Sequence, residues 1–168
     1  MPPSLRIDPI AEARRHWRER WGEQRAQAMA AITSIVRAQQ LLLARYEELL
    51  RPLGITFARY ELLMLLSFTR AGELPVGKIG ERLQVHRSSV TNAVDKLLAD
   101  GLVERRPHPS DGRASLVAIT AAGRAVGEAG TEKLNAADFA VAALGADDRE
   151  ALTRILAALR RDAGDFDC

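Results

Sequence analysis

The sequence predicts a mainly α-helical protein with one small β-hairpin, built as a central unit of two short helices and the hairpin flanked by longer helices. Three observations carry this. Apolar residues recur at three- and four-residue intervals through most of the chain, the signature of helices with one buried face. Only the stretch 102–119 breaks that rhythm, with two short apolar runs separated by Pro107, Pro109, Asp111 and Gly112. The composition, 47% apolar and 27% charged with 5% aromatic, describes a globular chain rather than a disordered or fibrous one. At 168 residues it holds one domain, or one domain with a helical extension, and buries about 70% of its unfolded surface without needing a staple.

Each element follows from local chemistry. Asp8 as N-cap and Pro9 at the first helical position start a helix over 8–21 that carries Ala13, Trp17 and Trp21 on one side. A long helix, Glu23 to Leu50, keeps Met29, Ile32, Val36, Leu43, Tyr46 and Leu50 in phase, widened by Ile35, Leu42 and Leu49. Pro52 and Gly54 end it. Thr56 begins a helix from Phe57 to Thr69 whose run Leu62–Leu66 is apolar nearly all round and is expected to be buried. A turn from Gly72 to Pro75 leads into a short helix, Val76 to Leu83, with Val76, Ile79 and Leu83 inward. After Gln84 and Val85 a second helix runs from Arg87 to Asp100, with Val90, Ala93 or Val94, Leu97 and Leu98 inward and Gly101 as its stop. Two short helices joined this closely form a helix-turn-helix. Strand, turn and strand follow, the turn taken as Arg105 to Arg113, which makes a hairpin with a basic tip. Thr120 caps an Ala-rich helix continuing toward Leu144, and Asp147 and Asp148 open a last helix with Leu152, Ile155, Leu156 and Leu159 on one face. The tail after Ala163 is polar and expected to be loose.

Several function classes are excluded. The longest apolar run is far below the roughly 20 residues of a bilayer span, and residues 1–8 lack a signal-peptide core, so no membrane association and a cytoplasmic location are expected. One cysteine, Cys168, allows neither an internal disulfide nor a Cys-rich metal site, and reads as a terminal thiol. His16, His86 and His108 lack metal-ligand spacing, and there is no phosphate loop and no nucleophile elbow. No cofactor, metal or catalytic residue is therefore expected, and the chain does not read as an enzyme.

The net charge of +2 is unevenly distributed. Residues 78–113 hold seven Lys and Arg against five Asp and Glu, whereas residues 128–168 hold five against nine. A basic centre suits contact with an anionic polymer. With the inner face of the second short helix assigned, Arg87, Ser88, Ser89, Thr91, Asn92, Asp95 and Lys96 remain. Short hydrogen-bonding side chains let a helix approach base edges in the DNA major groove, and its amino-terminal amides favour phosphate. Taken alone they fit an ordinary solvated helix start equally well. The neighbouring hairpin, with Arg105, Arg106, His108 and Arg113, adds a basic wing for the backbone or the minor groove, and Asp111 would aim Arg113.

The stretch from Thr56 to Gly123 resembles the MarR family of winged helix-turn-helix repressors. The segment LQVHRSSVTNAVDKLLADGLVERRPHPSDGRASLVAITAAG, from Leu83, holds that family's recognition helix, short strand, Asp-x-Arg wing tip at Asp111 and Arg113, and closing Ile119-Thr120-x-x-Gly123. The resemblance implies a homodimer on double-stranded DNA, in which the stripe Met29–Leu50 and the faces of Val141, Leu144, Leu152, Ile155 and Leu159 meet a second subunit. It also implies three regions: an extra helix at 1–22, a dimerisation region at 23–55 and 121–168, and a DNA-binding domain at 56–120. Paired recognition helices would read half-sites about 10 base pairs apart.

The extra first helix is similar to that of the urate-responsive branch and of members answering aconitate or citrate. The resemblance implies a cleft between the dimer helices and the DNA-binding lobe, with Arg14, His16, Trp17, Arg18, Trp21 and Glu61 around a small anion, a carboxylate or a purine. The branch's aspartate and arginine positions are taken here by Glu61 and Ala93, which departs from the urate pattern. Packing of the extra helix onto the dimer is the other reading of Trp17 and Trp21. A ligand-released repressor is thus expected, the alternative being a constitutive DNA-binding module without effector.

Overall fold

The structure, a computed structural model, describes residues 5–108 and 115–166. Seven α-helices and three strands make up these residues: α1 Pro9–Trp21, α2 Glu23–Leu50, α3 Phe57–Ser67, β1 Glu73–Pro75, α4 Val76–Leu83, α5 Arg87–Ala99, β2 Val103–Pro107, β3 Ser115–Ile119, α6 Ala121–Ala136 and α7 Ala146–Asp162. The starts are chemically marked. The Asp8 carboxylate accepts from the Ile10 amide, Thr56 from Arg59 and Thr120 from Gly123.

One core gathers the central elements. Leu62, Leu63 and Leu66 of α3 meet Ile79 of α4, Val90, Val94 and Leu97 of α5 and Val117 of β3. Leu50 and Leu134 tie α2 and α6 to the same cluster. Gly123 lets α6 start tight against the α5–β2 junction, because a Cβ there would sit 2.0 Å from the Leu102 carbonyl oxygen. Thr120 closes the junction: its hydroxyl accepts from Gly123 and donates to the Gly101 carbonyl at 2.9 Å.

Six expectations are corrected. The turn at Gly72–Pro75 contains a third strand: Leu74 pairs with Val117, giving the antiparallel order β1-β3-β2. Strand β2 runs on to Pro107, so Arg105 and Arg106 lie in the ladder opposite Val117 and Leu116 and not in the hairpin tip. Helix α3 stops at Ser67, and within its apolar run Met64 and Leu65 are only half-buried.

Helix α6 ends at Ala136, well short of Leu144, because Asp138, Phe139 and Ala140 turn left-handed, with φ between 47° and 59°. Such angles cost non-glycine residues of order 1 kcal/mol each and here have local support. Arg149 forks onto the Asp138 carboxylate and donates to the Leu144 carbonyl, while Tyr46 donates to the Phe139 carbonyl at 3.0 Å. The tail is also engaged: Gln84 donates to the Asp165 carbonyl at 2.7 Å, and Arg160 and Arg161 lie over the Phe166 ring.

The flanking helices are different in kind. α1 packs on α2, and α7 has no buried residue. Ile32, Ile35, Val36, Leu41 and Leu43 of α2 and Leu152, Ile155 and Leu159 of α7 are exposed, Ile155 by 56%. No helix among the described residues is long and apolar enough to cross a membrane, and none of their His, Cys, Asp and Glu residues group in a way that would hold a metal ion.

Candidate nucleic-acid interface

Helix α5 owes its placement to three buried side chains. Val90, Val94 and Leu97 fix its inner face, so the side that carries Ser89 and Asn92 faces outward, and Arg87 is exposed at the helix start. Gln84, left-handed at φ 53°, turns the chain between α4 and α5. His86 caps α5: its ring Nδ1 lies 3.4 Å from the Ser88 amide it accepts from and 2.8 Å from the Ser88 hydroxyl. Sequence reasoning misses a histidine in this capping role, since caps are usually Ser, Thr, Asp or Asn.

Commitments differ among the outward residues. The Ser88 hydroxyl is engaged by His86, and Thr91 donates back to the Arg87 carbonyl at 3.1 Å. Lys96 lies 3.4 Å from Asp100. Arg87, Ser89 and Asn92 are exposed and carry no side-chain hydrogen bond or ion pair among the described residues. Ser89 and Asn92 lie one turn apart on the outward side, while Arg87 stands at the first position of α5.

The wing's two strand arginines are held within the chain. Arg105 reaches Asp95 on α5 at 3.2 Å and Ser115 on β3 at 3.3 Å. Arg106 pairs with Glu104 at 2.6 Å and Glu73 at 3.2 Å, and the neighbouring Glu104 carboxylate raises its already high pKa. His108 ends the first described stretch, and the predicted Asp111 and Arg113 lie outside the described residues, as does Cys168. Between α4, α5 and the wing opens a cleft of about 400 Å³, lined by Val76, Arg87, Thr91, Arg105 and Ser115 among others.

The residues expected around an anion are only partly brought together. The Trp17 and Trp21 rings lie 4.2 Å apart with their planes tilted by 43°, and Arg20 lies over the Trp21 ring. Arg14 pairs with Glu23 at 2.6 Å, and His16 lies 3.2 Å from Glu12. The Arg15 guanidinium holds Glu12 below the usual carboxylate range, and Arg14 does the same for Glu23. Arg18 is exposed on the same helix. Glu61 stands apart on α3, where partial burial of its carboxyl pushes its pKa up although its side chain keeps an exposed edge.

A three-stranded antiparallel sheet behind a helix-turn-helix, with β2 and β3 forming a wing, defines the winged helix-turn-helix class. A sequence profile of the MarR family matches residues 53–114. The chain is 30% identical over 115 residues to the Bacillus subtilis HTH-type regulator YdgJ, covering 68% of this chain and 69% of that one. It is 36% identical over 81 residues to the Escherichia coli multiple antibiotic resistance protein MarR, a match that spans 48% of this chain and about half, 55%, of the relative.

Among solved structures, the Streptomyces coelicolor MarR family regulator Sco5413 superposes with a TM-score of 0.78 at 52% identity, covering 84% of this chain and 99% of that one. A mutant form of E. coli MarR complexed with operator DNA superposes at 0.64 with 26% identity, over 77% of this chain and 95% of that one. The chain belongs to the MarR family of transcriptional regulators; these relatives are regulators, not enzymes.

Proposed function

We propose that the protein is a cytoplasmic homodimeric repressor that binds a pseudo-palindromic operator through α5 and the wing. The observation that carries this reading is the outward, uncommitted pair Ser89 and Asn92, with Arg87 exposed at the helix start, on a helix seated by Val90, Val94 and Leu97 beside a basic hairpin. Ser89 and Asn92 have the reach to read base edges, while Arg87 and Lys96 neutralise phosphate. Ser88 and Thr91 lie on the same surface with their hydroxyls bonded locally. On the wing, His108, Asp111 and Arg113 are the proposed contacts to the DNA backbone, the last two outside the described residues, and Arg105 and Arg106 form its base. The E. coli relative, solved with operator DNA, supports the docking by likeness.

The proposed regions keep their assignments: 56–120 reads DNA, 23–55 with 121–168 pairs two chains, and 1–22 adds a helix. The exposed faces of α2 and α7 supply the apolar surface that pairing requires. Two recognition helices about a two-fold axis then read half-sites about 10 base pairs apart. A small anionic metabolite, carboxylate or purine, binding near Arg14, His16, Trp17, Arg18, Trp21 and Glu61 would release DNA by preferring a different spacing of the heads; a 100-fold preference, about 2.7 kcal/mol, suffices.

A constitutive DNA-binding module is the second reading, favoured by one observation: Arg14 and His16 already face acidic partners, Glu23 and Glu12. Thermal unfolding and duplex binding with citrate, aconitate and urate separate the two. An effector raises the unfolding midpoint and weakens DNA binding; a constitutive module shows neither change.

A further inference from the structure

Arg105 has the composition and location of a phosphate contact, yet the chain uses it otherwise. Its guanidinium bridges three elements: the side chain leaves β2, one amino group reaches Asp95 Oδ1 on α5 at 3.2 Å, and the other reaches Ser115 Oγ on β3 at 3.3 Å. Asp95 is an acid on the recognition helix itself, one turn beyond Asn92, where electrostatics alone would disfavour it beside DNA.

From this geometry we infer that Asp95 and Arg105 form a strut that sets the angle between the recognition helix and the wing, so that Asp95 is a positioning residue for sequence discrimination. The inference rests on the proposed DNA-binding reading. The strut acts where the core has given out. Buried packing ends at Leu116 and Val117, and the side chains of β2 from Glu104 to Pro107 are exposed. Arg106 is tied to Glu104 and Glu73, within the sheet, so it does not orient the sheet against α5. Among the described residues, the ion pair that spans from β2 to α5 is Arg105 with Asp95. Both are about half exposed, so the pair contributes little to folding. Its effect falls on geometry, since base readout tolerates little misplacement and the backbone contacts on either side tolerate more.

Two electrostatic accounts predict opposite signs for one substitution, Asp95→Asn. If Asp95 were an incidental surface acid, its removal would tighten binding to every duplex and free Arg105 for phosphate, steepening the salt dependence. A strut predicts the reverse for the preferred sequence. Full-length protein is titrated with the best duplex selected by the wild-type chain from a random library, and with a random-sequence duplex of equal length. Asp95→Asn is expected to lower the ratio of the two affinities three- to tenfold at an unchanged unfolding midpoint. Arg105→Lys, which keeps the charge but loses the fork, should lower it by a similar factor, and the double variant Asp95→Asn/Arg105→Lys by no more than either alone. A ratio equal to wild type in Asp95→Asn, whether or not absolute affinities shift, overturns the strut. Wild-type protein that binds neither duplex overturns the DNA-binding reading and the strut with it.

Discussion

The reading head and the helical arms of this chain obey opposite rules. In the head, α3 to β3, most large apolar residues point inward: Leu63, Leu66, Ile79, Val94, Leu97 and Val117 are fully buried, while Phe68 and Val85 are exposed. In the arms, α1 and α7 bury nothing, α2 buries only Ala26 and Leu50, and Ile32, Val36, Ile155 and Leu159 stay about half exposed. The head closes its core with Leu50 of α2 and Leu134 of α6, whereas most of the apolar stripe of α2 and that of α7 stay outside it. A second copy of the chain covers those stripes in the proposed dimer, and the arms then set the distance between two heads.

The contrast breaks first at the arms. Replacing Ile155 and Leu159 together by Asp places charges in the proposed interface. Sedimentation should report monomers, and affinity for a selected operator duplex should fall by 100-fold or more with the head's thermal transition retained. A stable dimer with wild-type binding would remove the arms from the account.

A subtler comparison uses two truncations. Leu97→Ala opens a cavity in the head's core and should cost about 2–5 kcal/mol at any protein concentration. Leu152→Ala should lower the unfolding midpoint by an amount that depends on protein concentration, because it acts through association. Equal concentration dependence in both variants would erase the distinction.

Within the head, Asn92→Ala and Arg87→Ala should divide by role. Asn92→Ala is expected to lose about 1–3 kcal/mol of discrimination at one base-pair position. Arg87→Ala should weaken binding to all sequences and reduce the salt slope by about 1. Binding measured on matched and mismatched duplexes across salt concentrations separates them.

The smallest effect belongs to Glu61. Its carboxyl pKa is raised by burial, so the folded chain holds that proton to higher pH than the unfolded chain does. Stability is therefore lost as pH rises from the ordinary glutamate value through the raised one, and remains lower above it. Glu61→Gln should remove that portion of the pH dependence and leave the protein slightly more stable at neutral pH, as thermal unfolding across a pH series would show.

Much of the fold is legible in the sequence because helix caps and periodicity are local signals. Asp8, Thr56 and Thr120 mark starts by hydrogen bonds to amides two or three residues away, and α2 and α4 fall on their expected spans. Strand β1 is not legible, since three residues show no alternation and its partner lies more than forty positions away. Nor is the corner at Asp138–Ala140, which holds left-handed angles without glycine or asparagine because Arg149 and Tyr46 support it from elsewhere in the chain. In the candidate site, the outward Ser89 and Asn92 of α5 follow from subtracting its buried face. The commitments of Arg105 and Arg106 do not, because Asp95, Ser115 and Glu73 come from other elements, and composition cannot distinguish a free cation from a paired one.

The pairing of two heads on one duplex is tested most directly by the stoichiometry and footprint of the complex on a selected operator. Two chains per duplex, with two protected patches about 10 base pairs apart on one face, is the predicted result. One chain per duplex with a single patch would contradict it.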